Sequence, residues 1–176
     1  MLVYFLRHAS AGDSLINPVQ DDQRPLDKKG IEQCGNVGRL LRALDVRVGA
    51  IISSPLKRAK QTAALVAEEI GYDAKPLLDA ALAPGASFED FRGLLRRYAK
   101  QEAIMVVGHN PSLSQFLSLL VTNGQFDQAV DMSKGSIARV EYDRQPVLRW
   151  MVTPKVARAA QSDSKAASSR PKTSRK

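Results

Sequence analysis

The chain contains only two histidines, His8 and His109, and each directly follows a largely apolar run of residues. The run before His8 ends in Arg7, so an imidazole and a guanidinium stand side by side where a buried strand is expected to end. A neutral imidazole can act as a nucleophile in covalent catalysis. A guanidinium binds phosphate oxygens through its fork of N–H donors. These residue types therefore point to chemistry on a phosphoryl group.

A third apolar run leads into the segment SPLKRAKQT at residues 54–62. There a helix is predicted to begin at Pro55, with Arg58 in its first turn. Pro111 predicts another helix start directly after His109. In open α/β sheets, ligands bind beyond the carboxyl ends of the strands, and helix N-termini complement phosphate charge. The pattern predicts a phosphoryl site at three strand ends, formed by two histidines and two arginines.

Buried strands must position these residues, and continuous apolar runs predict them at residues 2–6, 48–52 and 103–107. Such runs favour a parallel sheet that is covered on both faces. Helical spacing predicts intervening helices, the first capped by Asp27, the second ended by Gly71, and others at residues 88–98 and after Pro111. Two later strands are expected at residues 136–142 and 147–152. The interpretation is an α/β fold, a three-layer α/β/α sandwich with a mostly parallel central sheet.

Most of the formal net charge of +8 lies beyond residue 154. Residues 155–176 hold seven basic side chains and one acidic one, with few apolar residues besides alanine. We therefore expect one folded domain at residues 1–154, followed by a basic, disordered tail. This tail could contact an acidic partner or nucleic acid, or it could simply aid solubility. Since the folded part offers no basic groove with aromatic residues, nucleic acid is not the expected partner.

No apolar run approaches the length of about 20 residues that spans a bilayer, and the N-terminus lacks the pattern of a signal peptide. We therefore expect no membrane association and a cytoplasmic protein. The single cysteine, Cys34, fits a reducing compartment and lies in a helical pattern that predicts a packed thiol. A monomer is the favoured oligomeric state.

Three ordered motifs resemble the signatures of the histidine phosphatase (phosphoglycerate mutase-like) superfamily. They are Arg7-His8, the segment at residues 54–62 and Gly108-His109-Asn110-Pro111. Arg24-Pro25-Leu26 followed by Gly30 is similar to a further element of that family. The short chain and the terminal pattern of Trp150, Thr153 and Pro154 look most like its SixA-like phosphohistidine phosphatases.

The resemblance implies a role for each matching residue. His8 would attack phosphorus and form a phosphohistidine intermediate that water then hydrolyses, with its other ring nitrogen held by an acceptor such as a backbone carbonyl. Arg7, Arg58 and His109, the last as a cation, would neutralise the phosphoryl oxygens. Arg24 and Asn110 would bind substrate. The resemblance implies neither a metal nor another cofactor.

Two positions depart from the family pattern. Ala9 follows the nucleophile where glycine is usual, and its methyl group leaves the mechanism intact. Many relatives carry an acidic residue in the middle of the chain to protonate an alcohol leaving group. Here Ala81 stands near that position, and the nearby Asp79 is expected to cap or to lie on the surface.

The absence of a clear general acid bears on the substrate. An alkoxide leaves poorly without such an acid, which typically raises the reaction rate about 10²–10⁴-fold. An imidazole titrates near neutral pH and can therefore leave as a neutral ring without a dedicated acid. The leading hypothesis is a phosphohistidine phosphatase acting on a protein of the histidine phosphotransfer type. Alternatives are a phosphomonoesterase for small molecules and a non-catalytic module that binds a phosphorylated ligand.

Overall fold

The computed structural model describes residues 1–14 and 16–168, without the side chains of Pro18 and residues 162–168. Its strands are β1 (Leu2–Arg7), β2 (Ala50–Ser53), β3 (Leu77–Leu78), β4 (Ala103–Gly108), β5 (Ile137–Glu141) and β6 (Val147–Val152). Its helices are α1 (Pro18–Asp22), α2 (Lys28–Ala43), α3 (Lys57–Ile70), α4 (Phe88–Arg97), α5 (Ser112–Val121) and α6 (Pro154–Ser168), with a 3₁₀ helix at Ala80–Leu82. Across these described ranges, no helix is long and apolar enough to cross a membrane.

The six strands form one sheet in the order β3-β2-β4-β1-β5-β6. Strands β3, β2, β4 and β1 are parallel, and β5 is antiparallel to both of its neighbours. Arg7 of β1 pairs with Gly108, and Ser53 of β2 pairs with Val107. The predicted, mostly parallel sheet is confirmed. Its carboxyl edge collects the residues that follow β1, β2 and β4.

Apolar side chains pack on both faces of this sheet, because successive residues of a strand point to opposite sides. Tyr4 and Leu6 join the buried faces of α2 and α3, whereas Val3 and Phe5 join those of α4 and α5. The three-layer α/β/α sandwich is confirmed. Cys34 lies buried in the α2–α3 layer, and burial raises the pKa of its thiol to about 12, as a packed thiol requires.

The structure differs from the sequence prediction beyond residue 154. There α6 begins at Pro154, Ala157 is fully buried, and the Gln161 amide donates to the carbonyl of Asn36 at 2.7 Å. The prediction of a disordered tail from residue 155 is wrong for this helix. The small side chain of Ala157 lets α6 pack closely against α2. Residues 169–176 of the predicted tail lie outside the described residues.

Residues typical of helix ends predicted the ends of α2, α3 and α5 to within two residues. Asp27 caps α2 by accepting from the backbone N–H of Gly30 at 2.7 Å, and Gly71 ends α3 in a left-handed conformation. Helix α3 begins two residues after Pro55, and α5 begins directly after Pro111. The elements α1, β3 and the 3₁₀ helix were not predicted, because each is too short to show helical spacing or a sustained apolar run.

Gly30 lies where α2 meets the backbone that follows His8. A Cβ atom at Gly30 would lie 2.0 Å from the carbonyl oxygen of Ser10, which cannot yield without moving this backbone. We expect Gly30→Ala to lower the free energy of unfolding by about 1–3 kcal/mol, as overpacking does. Thermal unfolding should be compared with Gly93→Ala in α4, where the new Cβ would meet only the flexible ends of Arg96 and Arg97, at 3.7 and 3.9 Å. Equal losses of stability in the two variants would contradict this account.

Candidate active site

His8 directly follows β1, and its ring is buried. Its backbone N–H donates to the carbonyl of Gly108 at 2.9 Å, which fixes the residue against β4. Its Nδ1 lies 2.8 Å from the carbonyl oxygen of Ala9. A carbonyl only accepts, so Nδ1 carries the proton of the neutral ring and Nε2 keeps the free lone pair. The local geometry thus supplies a nucleophilic nitrogen.

Thr62 of α3 fastens the backbone next to His8. The N–H of Ala9 donates to Thr62 Oγ1 at 3.1 Å, and the Thr62 hydroxyl donates to the carbonyl of Arg58 at 2.8 Å. The loop after β1 is therefore tied to the helix that carries Arg58. Ala9 itself is fully buried, so its methyl group is accommodated beside the nucleophile.

His109 follows β4 as His8 follows β1, and the centroids of the two rings lie 4.8 Å apart. The Nε2 of His109 lies 2.8 Å from the hydroxyl of Ser54, which is fully buried at the end of β2. The same hydroxyl accepts from the backbone N–H of Leu56 at 3.3 Å. With Leu56 as donor, the Ser54 hydroxyl can give its proton to Nε2. With the bond in this direction, neutral His109 carries its ring proton on Nδ1.

Both histidines are neutral at pH 7 in this structure. Burial lowers the pKa of His8 to about 4, and the charges of Arg58, Arg7 and Lys134 add to the effect. Burial also lowers the pKa of His109 to about 3, with His8 and the same two arginines contributing. The expectation of a cationic His109 concerns the protein with a bound phosphoryl group, and it stays a prediction. A phosphoryl group beside the ring would favour the charged form.

The two arginines are each held by a backbone carbonyl from a different segment of the chain. Arg7 Nη1 donates to the carbonyl of Met132 at 2.6 Å. Arg58 Nη1 donates to the carbonyl of Asp21 at 2.8 Å and lies 3.2 Å from Asp21 Oδ2. Burial lowers the pKa of both guanidinium groups, against the raising effect of nearby Asp131 on Arg7 and Asp21 on Arg58. In each guanidinium group Nη1 is therefore bonded to the protein, whereas Nε has no hydrogen-bond partner among the described residues.

Three buried side-chain nitrogens have no hydrogen-bond partner among the described residues, and all three belong to this cluster. They are the Nε atoms of Arg7 and Arg58 and the Nδ1 of His109. Unpaired buried donors are costly, and each such group in a native structure calls for an explanation. All three lie on residues whose side chains act on His8 electrostatically or contact its ring, and a bound oxyanion would supply the missing partners.

Arg24 is bonded to the protein through Nε and Nη1, and a role in binding substrate stays a prediction. Its guanidinium donates to the carbonyls of Ala11 at 2.5 Å and Gly12 at 3.0 Å, and Nε contacts Asp21 Oδ1 at 2.8 Å. Asp21 thereby links Arg24 to Arg58. Arg24, which was expected to bind substrate, holds the loop after His8 in place.

Asn110 is also engaged by the protein. Its Nδ2 donates to Met132 O at 3.0 Å and to Asp131 Oδ1 at 3.2 Å, while its Oδ1 accepts from Ser114 at 2.8 Å. Met132 O is the carbonyl that holds Arg7. Asn110, expected to bind substrate, therefore supports the tether of Arg7.

Asp79 caps the 3₁₀ helix, as expected. Its carboxylate accepts from the backbone N–H of Ala81 at 2.9 Å and also pairs with Arg97. Ala81, at the position where an acid was considered, is buried. Neither residue offers a free acid to a leaving group.

The sequence interpretation missed several supporting groups. Ser54 and Thr62 lie inside the recognised motif, which is a signal for both. Asp21 lies three residues before Arg24 and has no local signature, and the carbonyl of Met132 has none because every residue carries one. Within the described part of the chain, no three His, Cys, Asp or Glu side chains cluster as metal ligands would.

The pKa shifts make a direct prediction for nuclear magnetic resonance, because the chain has only two histidines. With folded pKa values of about 4 for His8 and about 3 for His109, neither ring should titrate between about pH 7.5 and pH 5. Saturating inorganic phosphate should raise at least the pKa of His109. Histidine Cε1–H signals measure both values, and His109→Gln assigns them. A midpoint near the ordinary value of about 6.5 for either ring of the free protein would contradict the structure.

The chain is similar to known proteins in sequence and in fold. The profile of the Histidine phosphatase superfamily (branch 1) matches residues 3–83. An uncharacterized protein of Picosynechococcus is 34% identical over 140 residues, covering 78% of this chain and 82% of the relative.

Solved structures share the fold. The protein histidine phosphatase SixA complexed with tungstate has a TM-score of 0.76 at 21% identity, covering 88% of this chain and 98% of SixA. A putative alpha-ribazole-5'-P phosphatase from Escherichia coli has a TM-score of 0.71 at 19% identity, covering 89% and 98%. Since the matching profile spans β1, His8 and the helix that carries Arg58, and the fold agrees with it, the chain belongs to the histidine phosphatase superfamily.

Proposed function

We propose that this phosphatase removes the phosphoryl group from a phosphorylated histidine of a partner protein, through a covalent phosphohistidine on His8. The observation that carries the proposal is the set of buried, unpartnered nitrogens of Arg7, Arg58 and His109 beside the neutral imidazole of His8. SixA, which is similar in fold, is a protein histidine phosphatase and was determined with tungstate, a tetrahedral oxyanion.

In the first step, Nε2 of His8 attacks phosphorus in line, and the bond from phosphorus to the leaving nitrogen breaks. The leaving imidazole keeps the electron pair of that bond and departs neutral, carrying one proton taken up from solvent. Arg7 and Arg58 would bind the phosphoryl oxygens through their Nε edges, and Nδ1–H of His109 would donate a third hydrogen bond. Positive charge from these groups serves the transition state without a step that needs a metal.

In the second step, water attacks the phosphohistidine, and the bond between phosphorus and Nε2 breaks. Inorganic phosphate is released, and His8 regains its neutral form. The carbonyl of Ala9 holds Nδ1–H throughout, so the ring keeps its orientation between the two steps. Burial keeps the free ring unprotonated, which preserves the nucleophile across the neutral pH range.

The choice of phosphohistidine rests on the leaving group. Asp79, the acid considered from the sequence, is occupied by Ala81 and Arg97. An alkoxide would therefore leave without help from this residue, and the reaction rate would be lower by typically about 10²–10⁴-fold. An imidazole has a pKa of about 6.5, so solvent can protonate the ring and it leaves without a dedicated acid.

A phosphomonoesterase for small molecules is the second candidate. The ribazole phosphatase that shares this fold is named for a small phosphate ester. The same oxyanion site and nucleophile would serve such a reaction, with the leaving oxygen protonated by a group other than Asp79.

The decisive comparison uses two peptides of one sequence, phosphorylated on histidine in one and on serine in the other. We expect kcat/KM to be about 100-fold or more higher for the phosphohistidine peptide, since only the serine alkoxide requires an acid. A sugar phosphate assayed alongside represents small esters. Equal or higher kcat/KM for either ester would overturn the assignment of substrate.

A further inference from the structure

A basic groove lies beside the candidate active site. It is a cavity of about 590 Å³ between the start of α2, the turn at residues 133–135 and the start of α6. Four cationic side chains line it: Lys29, Lys134, Lys155 and Arg158. Lys155 and Arg158 belong to the segment that was predicted from the sequence to be a basic tail. In the structure they lie on α6, which is part of the folded domain.

Residues at the edge of this groove form hydrogen bonds with the backbone of His8 and Ser10. The N–H of Gly135 donates to the carbonyl of His8 at 3.1 Å. On the other side, the N–H of Ser10 donates to the side-chain oxygen of Gln33, a residue of the groove, at 2.8 Å. Lys134 also contributes to the lowered pKa of His8. A partner seated in the groove would therefore lie next to the phosphoryl site.

The electrostatics of the groove favour an anionic partner. Helix N-termini carry partial positive charge and normally attract acidic residues. Neither α2 nor α6 has an acidic residue in its first turn, and Lys29 and Lys155 lie there instead. Among the described residues that line the groove, only Glu32 carries a carboxylate, and it lies 3.7 Å from Arg158. The Asp27 carboxylate already caps the N-terminus of α2, so the positive charge of the groove comes from its four cationic side chains.

We propose that this basic groove docks an acidic surface of the protein that carries the phosphohistidine. The inference rests on the proposed function and names the chemistry of its partner. The cations come from three separate segments on long, mostly exposed side chains, which suits several carboxylates better than a single small anion. The described residues that line the groove include no aromatic side chain that could stack on bases, which disfavours nucleic acid.

A charge-reversal pair tests the proposal. Lys29→Glu/Lys155→Glu changes two exposed groove residues, and Lys75→Glu/Lys100→Glu makes the same change in net charge outside it. Lys75 and Lys100 lie shortly before β3 and β4, at the opposite edge of the sheet from His8. The matched control thus separates the groove from overall charge.

The substrates are two phosphohistidine peptides of equal length, one flanked by glutamates and one by serines. At low salt, the groove variant should lower kcat/KM for the glutamate peptide about tenfold and leave the serine peptide unchanged. The control variant should match the wild type on both peptides. Raising the salt concentration from about 0.05 to about 0.5 M should remove the wild-type preference for the glutamate peptide.

Binding separates the failure of this inference from failure of the proposed function. Fluorescence anisotropy with the unphosphorylated glutamate peptide measures docking without any catalysis. Tighter binding by the wild type than by Lys29→Glu/Lys155→Glu would support the groove even if neither phosphopeptide were hydrolysed. Equal binding by both proteins, or stronger wild-type binding of an oligothymidylate of the same charge, would overturn it.

Discussion

Replacing His8 with alanine should lower kcat/KM for a phosphohistidine peptide by about 10⁴-fold or more, the scale of losing a nucleophile. His8 presents the free ring nitrogen at the site, since Nε2 of His109 is engaged by Ser54. Release of inorganic phosphate measures the loss. Thermal unfolding of the variant checks that the ring was removed without unfolding the domain.

The matched control for this experiment is Cys34→Ala, which removes the only thiol in the chain. Because Cys34 is buried and its pKa is raised to about 12, the control should keep the wild-type kcat/KM to within about twofold. A His8→Ala protein that hydrolysed the peptide within tenfold of the wild-type rate would show that another group is the nucleophile.

Replacing Arg58 with alanine should lower kcat by about 10³-fold, the lower end of what an arginine supplies in phosphoryl transfer. The side chain is buried, its Nη1 donates to Asp21, and its Nε has no hydrogen-bond partner among the described residues. Removing it takes away both charge and a directed donor. Arg58→Lys should recover only part of the loss, because an ammonium group cannot reproduce the fork.

Lys60→Ala is the control for Arg58, two residues further along α3 with an exposed side chain. It changes the same net charge on the same helix and should leave kcat unchanged within about twofold. If Arg58→Ala and Lys60→Ala lowered kcat equally, the guanidinium would have no specific part in the reaction.

The strands and the main site residues were predictable because their signals are local. Strands β1 and β4 are short apolar runs, and each delivers a histidine at its carboxyl end. The rule that ligands bind at the carboxyl edge of an α/β sheet then brings His8, His109 and Arg58 together before any coordinates are known.

The supporting contacts were not predictable in the same way. The tether of Arg7 is a backbone carbonyl 125 residues away, at Met132, and a carbonyl has no sequence signature. Arg24 and Asn110 were recognised by their motifs, but their roles depend on where the loops at residues 11–12 and 131–132 fold back. Such roles are decided by tertiary contacts.

The tail was misjudged for a related reason. Its composition resembles that of a disordered segment, rich in alanine, serine and basic residues. One alanine, Ala157, is nonetheless fully buried, and Thr153 Oγ1 accepts from the N–H of Val156 at 3.3 Å at the start of α6. An alanine adds little to the hydrophobicity of a segment, so the average composition does not reveal that this residue packs against a neighbouring helix.

The central claim is a covalent phosphohistidine on His8, and trapping that intermediate tests it most directly. Wild-type protein mixed with a phosphohistidine peptide should be quenched within milliseconds in alkali, where phosphohistidine survives, and digested for mass spectrometry. The account predicts one added phosphoryl group on His8, lost on brief acid treatment and absent from His8→Ala. A phosphoryl group on another residue, or rapid turnover with none on the protein, would contradict it.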